Sequence, residues 1–213
     1  MHWLSYLFPI TIFKTSSPYN KDIRILEESG MYKLLCNGAR ESGAYIALLW
    51  QHAFRSFRIT PERRVKRILV LGIAGGTVIH MLHEVYPEAR ITGVDIDAVI
   101  IDVGKKYFGL GKLDKFRTIC RDAAEYVAAG KHEEFDCIVV DIFTGPDVPD
   151  FVLAESFERN VKKMLAPGGH VLINYLRQAG YENKAHKLHT LLQTLYKYVH
   201  VDDIYNNRFF LAE

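Results

Sequence analysis

The sequence predicts an α/β protein, a doubly wound and largely parallel sheet preceded by a small β-rich unit. Three observations carry this. Short apolar runs rich in β-branched residues recur at 68–71, 91–94, 138–140 and 171–173, with a weaker one at 116–120. Such continuous runs are what strands covered by helices on both faces look like. Between them lie stretches with apolar residues at helical spacing. Before residue 44 that alternation is absent, and brief β-prone runs separated by turn residues take its place.

The β-rich unit, residues 1–43, has strand candidates at 10–14, 23–27 and 32–36. They are parted by Ser16-Ser17-Pro18-Tyr19-Asn20 and Glu28-Ser29-Gly30, which reads as an antiparallel hairpin unit. Its first thirteen residues are apolar but too short to span a bilayer, and Pro9 interrupts them. They lack the basic start and small-residue cleavage site of a signal peptide. A packed strand or a dimer contact is the main reading; a membrane-surface foot, or the stump of a longer membrane-fused ancestor, is the alternative. Apolar Trp3, Leu4, Leu7 and Phe8 beside exposed strand edges make this unit the place where a homodimer would form.

The second unit, residues 44–213, opens with a helix from Ala44 to about Phe57, with Ile46, Leu49, Ala53 and Phe57 on one face. Val78, Met81, Leu82 and Val85 mark the first crossover helix, and Val99, Val103 and Tyr107 the second. Phe157, Val161, Met164 and Leu165 mark a later one, which Pro167-Gly168-Gly169 is expected to end before the next strand. Strands alternating with helices imply right-handed crossovers. A helix at 187–198 and a hairpin of 199–201 with 208–211 close the chain.

Composition bounds the function. The 213 residues are 49% hydrophobic and 24% charged with a net charge of +2, the profile of a soluble globular protein without a strongly basic nucleic-acid groove. Cys36, Cys120 and Cys137 form no CxxC pair; two of them sit inside apolar, strand-like runs and read as buried thiols, and a reducing, cytoplasmic compartment is expected. The nine histidines show no ligand spacing, so no metal site is expected, and no segment predicts a transmembrane helix.

The residues that carry chemistry fall at strand ends. The run at 68–71 passes into Gly72-Ile73-Ala74-Gly75-Gly76-Thr77 and directly into a helix. Small residues there let the chain bend and a ligand approach, and the helix N-terminus offers free N–H groups. A structural strand-to-helix turn is the alternative reading. About twenty residues on, the next strand ends in Asp95-Ile96-Asp97. A carboxylate at that place accepts both hydroxyls of a ribose, the role assigned to Asp95, while Asp97 also reads as a helix cap. So far NAD fits as well as an S-adenosylmethionine-type donor. Asp122, followed by Ala123 after the weak strand, favours the latter, because its carboxylate can accept from an adenine amine; a plain N-cap is the other reading. Asp141 ends the strand at 138–140 on the same rim. The convergence of all four on one sheet edge is the argument.

With these residues assembled, the chain resembles the spermidine-synthase-like branch of the class I S-adenosylmethionine-dependent methyltransferase superfamily. The blocks are Ser17-Pro18-Tyr19-Asn20 through Asn37-Gly38, then 71–77, 94–97, 121–123, 135–141, 165–169 and the tail Asn207-Arg208-Phe209-Phe210-Leu211. The resemblance implies a Rossmann-like seven-stranded sheet with its last strand antiparallel. It also implies a donor, S-adenosyl-L-methionine or its decarboxylated form, held by Gly72, Ala74, Gly75, Gly76, Asp95, Asp122 and Ala123. Asp141 would orient or deprotonate the acceptor, and Tyr175 would line the acceptor pocket or serve as a core aromatic.

Two departures matter. Spermidine synthases carry an aspartate where this chain has Ala74, and a second one three residues after the match to Asp141, where it has Thr144. Both would hold cationic amines. A neutral Ala74 removes a charge that would repel the carboxylate of the intact donor. Three functions stay open: a methyltransferase on an amine, hydroxyl or protein side chain; a polyamine aminopropyltransferase, in which Asp147 or Asp150 would substitute; and a non-catalytic nucleoside-binding module.

Overall fold

A computed structural model describes residues 3–130, 133–178 and 180–213. After a 3-10 turn at Trp3–Tyr6, strands β1 (Ile10–Thr15), β2 (Ile23–Glu28), β3 (Met31–Cys36) and β4 (Ala39–Arg40) pair antiparallel in chain order. The hairpin unit thus has one more short strand than the sequence suggests. Met1 and His2 of the apolar start lie outside the described residues. Trp3, Tyr6, Leu7 and Phe8 are exposed rather than packed, and the strand expected in this stretch begins at Ile10.

The rest of the chain alternates as expected: α1 (Ala44–Ser56), β5 (Arg67–Leu71), α2 (Thr77–Val85), β6 (Arg90–Asp95), α3 (Ala98–Tyr107), β7 (Phe116–Cys120), α4 (Ala123–Ala128) and β8 (Phe135–Val140). There follow α5 (Glu155–Lys163), β9 (Leu165–Leu176), α6 (Glu182–Leu195), β10 (Val199–Ile204) and β11 (Asn207–Ala212). The strands form one seven-stranded sheet in the order β10-β11-β9-β8-β5-β6-β7. The β5–β9 neighbours run parallel, and β11, the last strand, lies antiparallel to both β9 and β10.

Alternation along β5 explains why it reads as an unbroken apolar run. Leu69 and Leu71 face a core built with α4, α5 and α6 (Val127, Phe157, Val161, Leu188). Ile68 and Val70 face a second core with α1 and α2 (Trp50, Phe54, Ile79, Leu82). All four β5 side chains are fully buried, each worth about 1.5–3 kcal/mol of transfer free energy. A third cluster holds the N-terminal sheet to α3 through Ile23, Ile25, Leu34 and Cys36 against Ile100 and Val103. That packing brings the loop between β1 and β2 to the carboxyl edge of the large sheet. Among the described residues no helix is long and apolar enough to cross a membrane.

Two expectations need correction. Pro167-Gly168-Gly169 does not separate helix from strand: α5 has ended at Lys163, and Leu165 already pairs with Phe135. The three residues form an excursion within β9, across which the pairing passes to Cys137 with His170. Proline, lacking an N–H, sits where the ladder is interrupted, and Gly168 supplies φ +78°. The last helix starts at Glu182, five residues before the expected 187, because its first turn is polar and shows no apolar stripe until Ala185.

Candidate active site

The carboxyl ends of β5, β6, β7 and β8 open on one cleft of about 900 Å³, counting its mouth. It lies where strand order reverses between β5 and β8, the usual ligand crevice of open α/β sheets. The N-terminal unit closes one side with Tyr19, Asn20, Cys36 and the following loop residue Glu41, and Phe143, Pro149 and Phe151 form another. Five carboxylates line it (Glu41, Asp95, Asp97, Asp122 and Asp141), and no lysine, arginine or histidine does among the described residues.

The glycine turn is shaped by its neighbours more than by room for a ligand. A side chain on Gly72, whose φ is +93°, would place Cβ 2.0 Å from the Asp141 carbonyl oxygen. Gly72 and Ala74 line the cleft. Gly75 and Gly76, expected there as donor contacts, are buried beneath it instead; Gly75 abuts Ser42 and Gly76 abuts Leu110. Their smallness serves packing of the turn. Ala74 adopts φ +45°, a left-handed conformation that costs a residue with a Cβ about 1–2 kcal/mol. Gly76 caps α2 without any side-chain hydrogen bond, which leaves the first turn of that helix uncapped.

Asp95 holds the turn in place. Its Oδ2 accepts from the amides of Ile73 (2.9 Å) and Ala74 (3.5 Å), and its Oδ1 from the amide of Asp97 (2.9 Å). Burial raises its pKa, and those amides partly offset the rise. Asp97 caps α3 through Val99 (3.0 Å), as the cap reading predicts. It also receives Ser17 Oγ (2.5 Å) and Asn20 Nδ2 (2.9 Å), and so clamps the β1–β2 loop over the cleft. Asp122 caps α4 by accepting from the Glu125 amide (2.9 Å) and lines the cleft beside Ala123. Both readings of Asp122 are thus compatible with its position.

Asp141 sits at the end of β8. Its Oδ1 accepts from Asn174 Nδ2 (2.8 Å), whose own oxygen accepts from Asn207 Nδ2 (2.7 Å). Burial pushes its pKa up to about 6 against the stabilising pull of Asn174 and of the nearby Trp50 indole. That indole N–H makes no well-formed hydrogen bond among the described residues. Burial likewise pushes Glu41 up to about 8, assisted by the charges of Asp141 and Asp95.

Tyr175 does not join this group. It is fully buried in the core beneath α6, 6.0 Å from the Tyr181 ring, and is absent from the cleft wall. Strand parity is the reason: Ile173 and Tyr175 face the α4–α6 core, whereas Asn174 faces the opposite side and reaches Asp141. The core-aromatic reading of Tyr175 therefore holds, and Asn174, one residue away, is the side chain that reaches Asp141. Asp147 and Asp150 are also outside the lining; they bind Tyr181 Oη (2.7 Å) and Lys184 Nζ (2.8 Å) and fasten their loop to α6. Glu41 was missed as well, since no local pattern marks a loop residue that tertiary packing carries over the turn.

A cleft lined by five carboxyl groups and, among the described residues, no basic side chain disfavours a pyrophosphate and suits a cationic ligand. Ile96, Phe143 and Phe151, exposed or half-buried, and the buried Ala123 give the cleft apolar surface, and Asp141 sets a carboxyl group beside it.

Comparison with known proteins gives the family. Residues 54–204 match the spermine/spermidine synthase domain. A polyamine aminopropyltransferase from Vibrio vulnificus (strain CMCP6) is 32% identical over 111 residues, 51% of this chain and 37% of the relative. An eEF1A lysine and N-terminal methyltransferase homolog from Drosophila melanogaster is 28% identical over 156 residues, 68% of this chain and 23% of the relative. The chain thus spans less than half the length of either. Among solved structures, a probable spermidine synthase from Corynebacterium glutamicum ATCC 13032 superposes with a TM-score of 0.80 at 19% identity, covering 97% of this chain and 81% of the other.

Proposed function

We propose that this chain, which belongs to the spermine/spermidine synthase domain family, is an S-adenosylmethionine-dependent methyltransferase acting on an amine or hydroxyl of a small molecule or protein. The observation that carries the choice of methyl transfer is Ala74. It occupies the cleft position where the resemblance places a synthase's amine-binding aspartate, in a left-handed conformation that aspartate and asparagine tolerate better than alanine. A neutral side chain beside the uncapped start of α2 accommodates a carboxylate-bearing tail.

The residues fit such a donor. Asp95 and Asp122 are the acceptors for ribose and adenine, and Ala123, Phe143 and Phe151 offer apolar surface to the base. The donor supplies a methyl group activated by its sulfonium. Asp141, mostly ionised at pH 7, orients the neutral acceptor and takes its proton as the new bond to carbon forms and the carbon–sulfur pair stays on sulfur. Asn174 and Asn207 hold that carboxylate in one orientation.

A second reading, aminopropyl transfer to a polyamine, is favoured by Glu41, which restores one carboxylate near Asp141. Donors labelled at the methyl carbon or along the propyl chain, incubated with a panel of proteins, phenols and polyamines, distinguish the two. Methyl label on the acceptor supports the proposal; propyl label on a polyamine contradicts it. Tight donor binding without any transfer would make the chain a binding module.

A further inference from the structure

Glu41 has no role in the proposed methyl transfer, yet its setting is rigid. Its amide donates to the Leu34 carbonyl (2.9 Å), and Ser42 Oγ accepts from the Leu34 amide (2.9 Å). The Ser42 side chain lies so close to the glycine turn that a Cβ on Gly75 would meet it at 2.5 Å. Glu41 is therefore pinned on both sides over the turn, lining the cleft together with Ala74, Asp95 and Asp141. Among the described residues no group hydrogen-bonds or ion-pairs with its carboxylate. The adjacent Arg40 turns elsewhere, its guanidinium 5.8 Å from the centre of the Tyr45 ring.

A half-buried carboxylate held without a partner, among like charges, fits a cation delivered with the ligand. We infer that Glu41 is the counter-charge for the ammonium on the donor's amino-acid tail, a specificity-determining contact made from the N-terminal unit. This assignment rests on the nucleoside reading of the cleft. It holds for either reaction, because the intact and the decarboxylated donor carry that ammonium on the same carbon chain. The groups facing Glu41 are the Asp141 and Asp95 carboxylates and, from β3, the Cys36 thiol, which burial and Glu41 itself keep protonated. Burial, with the Asp141 and Asp95 charges beside it, raises Glu41 to about 8. An ammonium between them reverses the balance and expels the proton.

The test uses two nucleoside thioethers that differ in the tail, S-adenosylhomocysteine and 5′-methylthioadenosine, titrated into wild type and Glu41→Gln by calorimetry. We expect the variant to bind S-adenosylhomocysteine at least about 10-fold more weakly, as for loss of one charge-assisted contact, and 5′-methylthioadenosine within about twofold of wild type. Repeating the titration at pH 7 in buffers of different ionisation enthalpy should show proton release with the tailed ligand in wild type and none in the variant. Equal losses for both ligands, or no loss for either, would overturn the assignment while leaving the nucleoside reading intact. Failure of wild type to bind either thioether would overturn the proposed function and this assignment with it.

Discussion

Replacing Asn174 with leucine isolates the group that keeps Asp141 usable as a base. The Asn174 amide donates to the Asp141 carboxylate at 2.8 Å and pulls its pKa down more than any other group does. A hydrogen bond to a charged acceptor contributes about 1.5–3 kcal/mol, and 1.36 kcal/mol corresponds to one pKa unit. Removing it should raise Asp141 from about 6 to roughly 7–8. The sign follows from the charged state being the one stabilised. Wild type loses its carboxylate as pH falls through about 6, and the variant already loses it near neutrality. Carboxyl-carbon NMR titration reads this directly without a known acceptor. An Asp141 midpoint that stays within about 0.3 units of wild type would refute the claim that Asn174 sets its acidity.

Further outcomes follow from the same packing. Glu158 is fully buried, neither oxygen has a hydrogen-bond partner among the described residues, and burial lifts it from 4.5 to about 8. Stability linked to its protonation is complete below pH 4.5 and disappears as pH rises through about 8. Urea unfolding should thus show Glu158→Gln gaining on wild type between those limits by up to about 5 kcal/mol, and a pH-independent difference would count against it. Gly72→Ala should destabilise by more than about 2 kcal/mol, since its Cβ has no room against the Asp141 carbonyl and its φ is left-handed; near-wild-type unfolding would contradict that. Asp97→Ala removes a helix cap and two contacts to the β1–β2 loop, about 2–3 kcal/mol together. Hydrogen exchange should rise selectively at residues 16–20, and unchanged protection there would show that the clamp is not what holds the loop.

The sheet was legible because each parallel strand is buried on both faces and therefore announces itself as a β-branched run, as β5 does. The rim carboxylates Asp95, Asp122 and Asp141 were legible because strand ends at the switch point converge whatever the loops do. Errors arose where tertiary packing decides. Tyr175 and Asn174 differ by one step of strand parity, which a three-residue apolar run at 171–173 does not phase against the facing cores. Gly75 and Gly76 look like ligand glycines in sequence, yet Ser42 and Leu110, from distant segments, occupy the space they leave. Glu41 follows a two-residue strand, and only its packing over the turn makes it part of the cleft. The start of α6 was hidden by a polar first turn.

Donor preference tests the central claim most directly. Two like charges about 4 Å apart at an effective dielectric of 20 repel by about 4 kcal/mol, so an aspartate at position 74 would disfavour the intact donor strongly and the neutral Ala74 lifts that penalty. Calorimetry of wild type and Ala74→Asp with S-adenosylmethionine and its decarboxylated form is the measurement. The account predicts that wild type binds the intact donor more tightly and that Ala74→Asp, whose side chain tolerates the left-handed turn, reverses the order. Tighter binding of the decarboxylated donor by wild type would contradict it.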